Sequence, residues 1–572
     1  LSLENFRKNG DRVAVSEYTN VYDELNRLIQ KGDPYNVIES LKYNDASLQT
    51  ESYDVYNNVT VFEYDKNNRL VKTIKKSKTG EHISTTSKTY DLAGNVSSST
   101  DGENNTTRYE YDEFDRLTKV INAQNEETSY TYDLNGNMLT QTDGRGYTTT
   151  YEYNVANLLV RRSDPGGRTG EEGNYTYLSE KTVFYRYYPD GNLKEMVDRK
   201  GVTTEYVYDV HGRLIGETAG NINISYTYDK SGNQLTVNDT TGTTRRYYDR
   251  LGRVTSKTVP NIGTITFSYD IIYDEEKGYV AEVATDPKGN TTTKVYDKAG
   301  RLKFVIDGDD ITEYTYYPDG RRASVVYPDG SRQEYKYYDS GLLYILKNWK
   351  SDGTAMDSYT YEYDAAGNQV GKFEIINGLI KGKTTYTYDK LNRLKTVTEP
   401  NGRVTEYTYD ASGNRETETI RYNSETIVNT YENNEQNRLL RVVTRVNGSV
   451  TETTVYTYDN NGNQLAATTN GSNVQSNTYD EKNQLIKTVA GGKTIINIYN
   501  GEGLRVAKSV NGSLTRYLYE YDKVILEVNG SGKQIARNLY GINLLMRTVD
   551  GESYYYMYNG HADVTALVNA AT

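Results

Sequence analysis

Tyr226-Thr227-Tyr228-Asp229-Lys230-Ser231-Gly232-Asn233-Gln234-Leu235 is the stretch that decides the fold. Two tyrosines two residues apart share one face of a strand, and the threonine between them favours extended backbone. Asp229-x-x-Gly232 then reads as a turn with a mechanism. The carboxylate can accept from backbone N–H groups two or three residues on, and the glycine takes a left-handed position without a Cβ clash. Leu235 resumes the period-two alternation on a second strand. The stretch is strand, tight turn, strand.

The same hairpin recurs along the chain, where Tyr-Asp occurs nineteen times. Tyr90-Asp91, Tyr111-Asp112, Tyr132-Asp133 and Tyr153-Asn154 follow one another at 21 residues. The register resumes at Tyr208-Asp209, Tyr228-Asp229, Tyr248-Asp249 and Tyr269-Asp270, at Tyr388-Asp389 and Tyr409-Asp410, and at Tyr458-Asp459, Tyr479-Asp480 and Tyr499-Asn500. Gly136, Gly212, Gly232, Gly413 and Gly462 hold the left-handed turn position of their repeats. A second, looser turn is expected between hairpins, as at Thr100-Asp101-Gly102, Thr142-Asp143-Gly144 and Thr285-Asp286-Pro287-Lys288-Gly289. Two turns and two strands of about six residues fill the period. Residues 163–184 and 416–450 depart from the register and read as extended loops or irregular hairpins.

Composition agrees with one continuous array. The chain has 572 residues, 35% hydrophobic, with 59 Tyr against 7 Phe and 1 Trp. Its mean hydropathy of −0.80 would suggest disorder. The tyrosines reverse that reading, because each buries an aromatic body while its hydroxyl keeps a partner. Some fifty strands at ~4.8 Å each would make a ribbon on the order of 240 Å wide, and sheets of that width curl or close. The expected fold is all-β, tandem antiparallel hairpins coiled into a spiral or barrel-like hollow wall, with no helix beyond about two turns.

Several function classes lose support. A formal net charge of −12 and a pI near 5.1 give no footprint for nucleic acid. No apolar run is long enough to span a bilayer, so no membrane insertion is expected. With no cysteine and only His82, His211 and His561, far apart in sequence, neither a metal site nor a Cys–His nucleophile is indicated. Asp133-Leu134-Asn135-Gly136-Asn137 and Asp459-Asn460-Asn461-Gly462-Asn463 share the opening spacing of a calcium loop, but lack its downstream glutamate and flanking helices. Asp286-Pro287-Lys288-Gly289 and the Tyr-Pro-Asp-Gly runs at Tyr188, Tyr317 and Tyr327 fall at turn positions. No cofactor, metal or catalytic residue is expected. The tyrosines could stack on sugars, but at a fixed phase of every repeat a packing ladder explains them more economically.

These residues resemble the YD-repeat, or RHS-repeat, family: bacterial Rhs proteins, wall-associated proteins, the cocoon of insecticidal toxin complexes and the teneurin shell. The resemblance covers nearly the whole chain. It implies a large hollow β-shell that, in bacterial members, encloses a C-terminal toxin. Residues 540–572, with Tyr554-Tyr555-Tyr556-Met557-Tyr558-Asn559-Gly560-His561, look like the beginning of the Rhs-associated core that leads into the toxin. Residues 1–539 would be the repeat array. The function so implied is a non-enzymatic, secreted or cell-surface container whose partner is its own C-terminal cargo. The alternative is a cell-surface adhesion module that binds glycans or proteins.

Overall fold

The computed structural model describes residues 3–8, 11–171 and 174–570. Strand follows strand throughout, and the one helical element among the described residues is a single 3-10 turn, Ser179–Lys181. The described residues fall into two compact units, each assembled from separated stretches. One comprises 1–106, 265–388 and 534–572; the other comprises 107–264 and 389–533.

The hairpin around Asp229 shows how each repeat is made. Ile222–Tyr228 pairs antiparallel with Gln234–Asp239, and the register slips where Tyr228 opposes Gln234. The same slip falls on the motif tyrosine at Tyr111, Tyr132, Tyr208, Tyr409 and Tyr458. Its cause is the turn. Gly232 N–H bonds back to Asp229 O, and Asp229 N–H bonds across to Asn233 O. The chain thus closes a tight turn, passes through one left-handed residue and re-enters the ladder one residue out of step, as a bulged hairpin does. Gly232 has φ +92°, and the equivalent position is filled by Asn157, Asn392, Asn437 and Asn483 at φ near +60°. Asparagine tolerates that region better than other side chains.

Two expectations change. The second turn is not always looser: at Asp101, Asp143, Asp198 and Asp286 it uses the same aspartate-capped geometry as the first. Elsewhere it shortens to two residues, as in Asn447-Gly448 and Asn470-Gly471, both left-handed. Residues 416–450 are not a loop but regular long strands, Arg415–Tyr422, Glu425–Asn433, Leu439–Val446 and Ser449–Tyr458. Their Tyr-Asp spacing stretches because the strands lengthen. Residues 163–184 do hold an irregular hairpin, Arg168–Glu171 paired with Asn174–Tyr177, apart from the main sheet.

Candidate functional site

The repeated turn and its neighbours are the part of this chain with dense, specific chemistry. At Asp112, one carboxylate oxygen accepts from Phe114 and Arg116 N–H at 3.0 Å, and the other from Arg116 Nε at 2.7 Å. Asp133, Asp209, Asp229, Asp389 and Asp410 repeat this with amides two and four residues on. Asp459 accepts from Asn463, four residues on, through both main chain and side chain. The aspartate therefore reaches one residue further than the two-or-three expectation, because the left-handed residue turns the fourth amide back toward it. Hydrogen bonds to the ionised form lower a carboxyl pKa. The Arg116 side chain holds Asp112 low, the Asn137 side chain does so at Asp133, and the Arg213 amide leads the set that brings Asp209 to about 2. At Asp389 burial pushes upward, but the Arg393 fork outweighs it and the carboxyl stays below its ordinary range.

The motif tyrosines bind the preceding hairpin through their hydroxyls. Tyr132 donates to Leu117 O at 2.8 Å, and Tyr228, Tyr409, Tyr458 and Tyr388 donate to Leu214, Leu394, Leu439 and Gln369 O at 2.7 Å. Tyr208 instead meets Tyr188 edge-on at 6.2 Å. Tyr111 lies in the strand Thr106–Tyr111, paired with Leu117. Burial raises the hydroxyl pKa of Tyr132, Tyr208, Tyr388, Tyr409 and Tyr458. The expected aromatic ladder is thus mainly a hydroxyl-to-carbonyl ladder.

The residue that closes each turn was missed as a functional position, although it stands in the motif as Arg or Asn. Arg213 forks onto Asp209, donates Nη1 to Asp229 O at 2.9 Å and lays its guanidinium 5.0 Å from the Tyr228 ring centre. Arg116 does the same with Asp133 O and Tyr132. Where asparagine replaces arginine, the link changes hands. Asn137 Nδ2 bonds Asp133 and then Asn157 Oδ1, Asn414 bonds Asp410 and then Asn437, and Asn463 bonds Asp459 and then Asn483. After an arginine the next left-handed residue is glycine at Gly136, Gly232 and Gly462 but serine at Ser47, after Arg27, and a Cβ on Gly462 would lie 3.1 Å from Arg438 Nε. After an asparagine it is asparagine in these three cases, whereas Asn233 is followed by Gly252. The signal was legible as covariation between neighbouring repeats of the single chain.

Within each unit, turns of one stretch also dock on turns of another. In the unit built from 107–264 and 389–533, Ser412 Oγ donates to Asp143 Oδ2 at 2.8 Å, Gln436 Nε2 to Asp164 at 2.8 Å and Asn461 Nδ2 to Asp198 at 2.5 Å. Lys482 meets Glu217 at 2.7 Å and Gly501 N–H meets Asp239 at 2.5 Å. The approach is close, since a Cβ on Gly144 would fall 2.0 Å from Ala411 O. In the other unit, Asn58 reaches Asp339 O, and Ala365 N–H reaches Glu103.

That unit also holds the largest buried cluster. Tyr314, Tyr327, Tyr359 and Tyr361, 0–2% exposed, pack with Leu539, Leu545, Met546, Tyr555 and Met557 from the C-terminal stretch. Tyr327 donates to Tyr556 O at 2.9 Å, Asn348 to Tyr558 O at 3.1 Å, and Gly560 N–H to Tyr361 Oη at 2.6 Å. Burial pushes Tyr335 up to about 12. Residues 540–570 thus continue the hairpin geometry, Tyr558 bonding Leu544 O at 2.6 Å as its counterparts do.

The remaining candidates sit in turns or at the surface. His211 N–H caps Asp209 at 2.9 Å, His82 Nε2 lies 2.8 Å from Thr85 Oγ1, and His561 Nε2 lies 2.8 Å from Gln369. Asp286 spends its carboxylate on Lys288 and Asn290.

A bulged hairpin with a capping aspartate, a bonded tyrosine and a clasp to the next repeat defines a tandem β-hairpin repeat protein. Known proteins place it further. The RHS Repeat model matches residues 388–424, and the Teneurin YD-shell model matches 78–220. These matches place YD-type, or RHS-type, repeats within residues 78–220 and 388–424 of the chain. Its fold matches a chain in the crystal structure of TcdB2-TccC3-TEV, with TM-score 0.64, 16% identity and 99% of this chain covered. It also matches the Photorhabdus luminescens Tc holotoxin pore carrying a TccC3 mutation, with TM-score 0.63, 17% identity and 99% covered. The chain spans 34% of each of those chains. The tRNA3(Ser)-specific nuclease WapA of Bacillus spizizenii is 36% identical over 77 residues, which is 13% of this chain and 3% of that protein. No helix among the described residues is long and apolar enough to cross a membrane.

Proposed function

We propose that this chain builds the wall of a hollow shell that encapsulates a C-terminal toxin or other cargo for export or delivery, and that it performs no catalysis itself. The observation that carries this reading is the fold likeness to the TcdB2-TccC3 chains over 99% of its length, beside the YD-shell match. The chemistry supports it. Carboxylates, hydroxyls and guanidinia of the motif, from Tyr111-Asp112 to Asp459 and Gly462, are spent on holding hairpins together. Residues 540–572 would be the junction at which the wall passes to its cargo, and the seating of Leu545, Tyr555 and Met557 against Tyr327 and Tyr361 suits an anchored exit. A secreted or cell-surface location follows from the same reading. The test is limited proteolysis of the full-length polypeptide, with the segment after Thr572 followed by mass spectrometry. Survival of that segment until the wall is breached is expected, and free digestion alongside an intact wall would refute encapsulation.

A further inference from the structure

The Tyr-Asp turns of residues 112–252 differ from those of 410–502 in what they present. The latter dock through polar or small tips, Ser412, Gln436, Asn461, Lys482 and Gly501, which donate to carboxylates. In the former, bulky apolar residues stand at five tips, Phe114 63% exposed, Leu134 96%, Val155 105%, Val210 97% and Leu251 73%, while the Tyr188 and Asp229 turns between them carry exposed Asp190 and Lys230. Apolar side chains offer no donor to a row of acceptor carboxylates. An apolar row of this kind on a protein otherwise so polar marks an interaction surface.

We propose that this row is an interface with a second copy of the chain, packed tip to tip about a two-fold axis that runs the two rows antiparallel. Three observations fit that occupant. The tips expose on the order of 700 Å² of apolar side chain per copy, close to the ~800 Å² per partner of a standard interface. The turns of Phe114, Leu134 and Val155 are adjacent, two strands or about 10 Å apart, and one polar turn separates each later apolar tip from the one before it, so tips of one row enter gaps of the other. The charge is also polarised: exposed Glu113 flanks Phe114 at one end, and exposed Arg250 flanks Leu251 at the other, with exposed Lys230 one turn inward. An antiparallel two-fold places each acidic end against a basic one, whereas a bilayer would meet both ends alike. The motif carboxylates do not oppose approach, since Asp112, Asp133, Asp209 and Asp249 are turned into their own turns.

Sedimentation of the full chain across a concentration series tests this. Wild type should shift reversibly toward twice the 64.9 kDa chain mass. The variant carrying Leu134→Ser, Val155→Ser and Val210→Ser should stay monomeric with an unchanged circular dichroism spectrum. Glu113→Arg and Arg250→Glu should each weaken the dimer several-fold, and their combination should restore it. A wild-type monomer at every concentration overturns the proposal, including one that floats with phosphatidylcholine vesicles, which would assign the row to a membrane. So does a dimer indifferent to the triple substitution.

Discussion

Removing one clasp should loosen one hairpin junction and leave the rest of its unit intact. Arg393 is a suitable position because it and Asp389 are only 19% and 14% exposed. Its Nε donates to Asp389 at 2.7 Å, and its guanidinium lies 4.6 Å from the Tyr409 ring centre. A hydrogen bond to a charged group contributes ~1.5–3 kcal/mol, and a cation over an exposed ring contributes ~0.5–1 kcal/mol. Asp389 keeps its bonds to Leu391 and residue 393 N–H, so Arg393→Ala should cost about 2–3 kcal/mol of local opening free energy. Amides of Leu394–Thr398 and Val404–Tyr409 should then exchange roughly 30- to 150-fold faster. Arg393→Lys keeps the charge but loses the fork and the flat stacking face, and should recover less than half of the loss. A double-mutant cycle with Tyr409→Leu should show coupling of about 0.5–1 kcal/mol. Acceleration below about threefold would refute the clasp, because it corresponds to less than ~0.7 kcal/mol. Uniform acceleration throughout the unit would refute the locality of the effect.

At Gly232, where φ is +92° and a Cβ would meet nothing within 4 Å, Val should cost more than ~1 kcal/mol through backbone strain alone, and Asn should be tolerated; limited proteolysis should show new cleavage only in the Val variant, near its own turn. Gly144→Ala should break turn docking, because its Cβ would fall 2.0 Å from Ala411 O; hydrogen exchange at 143–147 and 410–414 should rise together, and unchanged protection would refute the contact. The Asp209 carboxyl lies at about 2 against an ordinary 3.8, so its contribution is complete above the ordinary value and disappears as pH falls from there through about 2; a carbon-detected titration placing it near 3.8 in the folded chain would refute the capping geometry.

Much of the hairpin was legible because its determinants are local. Tyr-x-Tyr sets the strand face, and Asp-x-x-Gly sets the turn, within one ten-residue window. The role of Arg213 was not, since its partner Tyr228 belongs to the next repeat and must be compared across hairpins. Nor was docking, as between Ser412 and Asp143, which joins residues 269 apart with no sequence period to announce it. Residues 416–450 misled for another reason. Longer strands and long loops lengthen Tyr-Asp spacing equally, and only the alternation in Leu439–Val446 and Ser449–Tyr458 separates them.

A chain with 35% hydrophobic residues can hold this many strands because directional polar bonds add to the apolar surface its junctions bury, as at Ala219 and Ile224. The clustered core of Tyr314, Tyr327, Leu545 and Met557 belongs to one unit. At the Asp209 and Asp229 junction, two carbonyl-directed side-chain bonds and one ring contact reinforce the backbone ladder between Leu214–Ala219 and Ile222–Tyr228, with Arg213 anchored on Asp209 in its own turn. Those bonds are directional, so they fix the register between hairpins as well as holding it, which an apolar contact of the same area would not. Register matters because a one-residue slip reverses every side chain of a strand. A sheet made of many hairpins must exclude that error at each junction separately, and a clasp that spans two consecutive turns checks each repeat against its neighbour. The two clasps, Arg with Gly and Asn with Asn, meet the same requirement with different side chains, which leaves the exposed turn residues free to diverge into docking tips such as Ser412 or apolar ones such as Leu134.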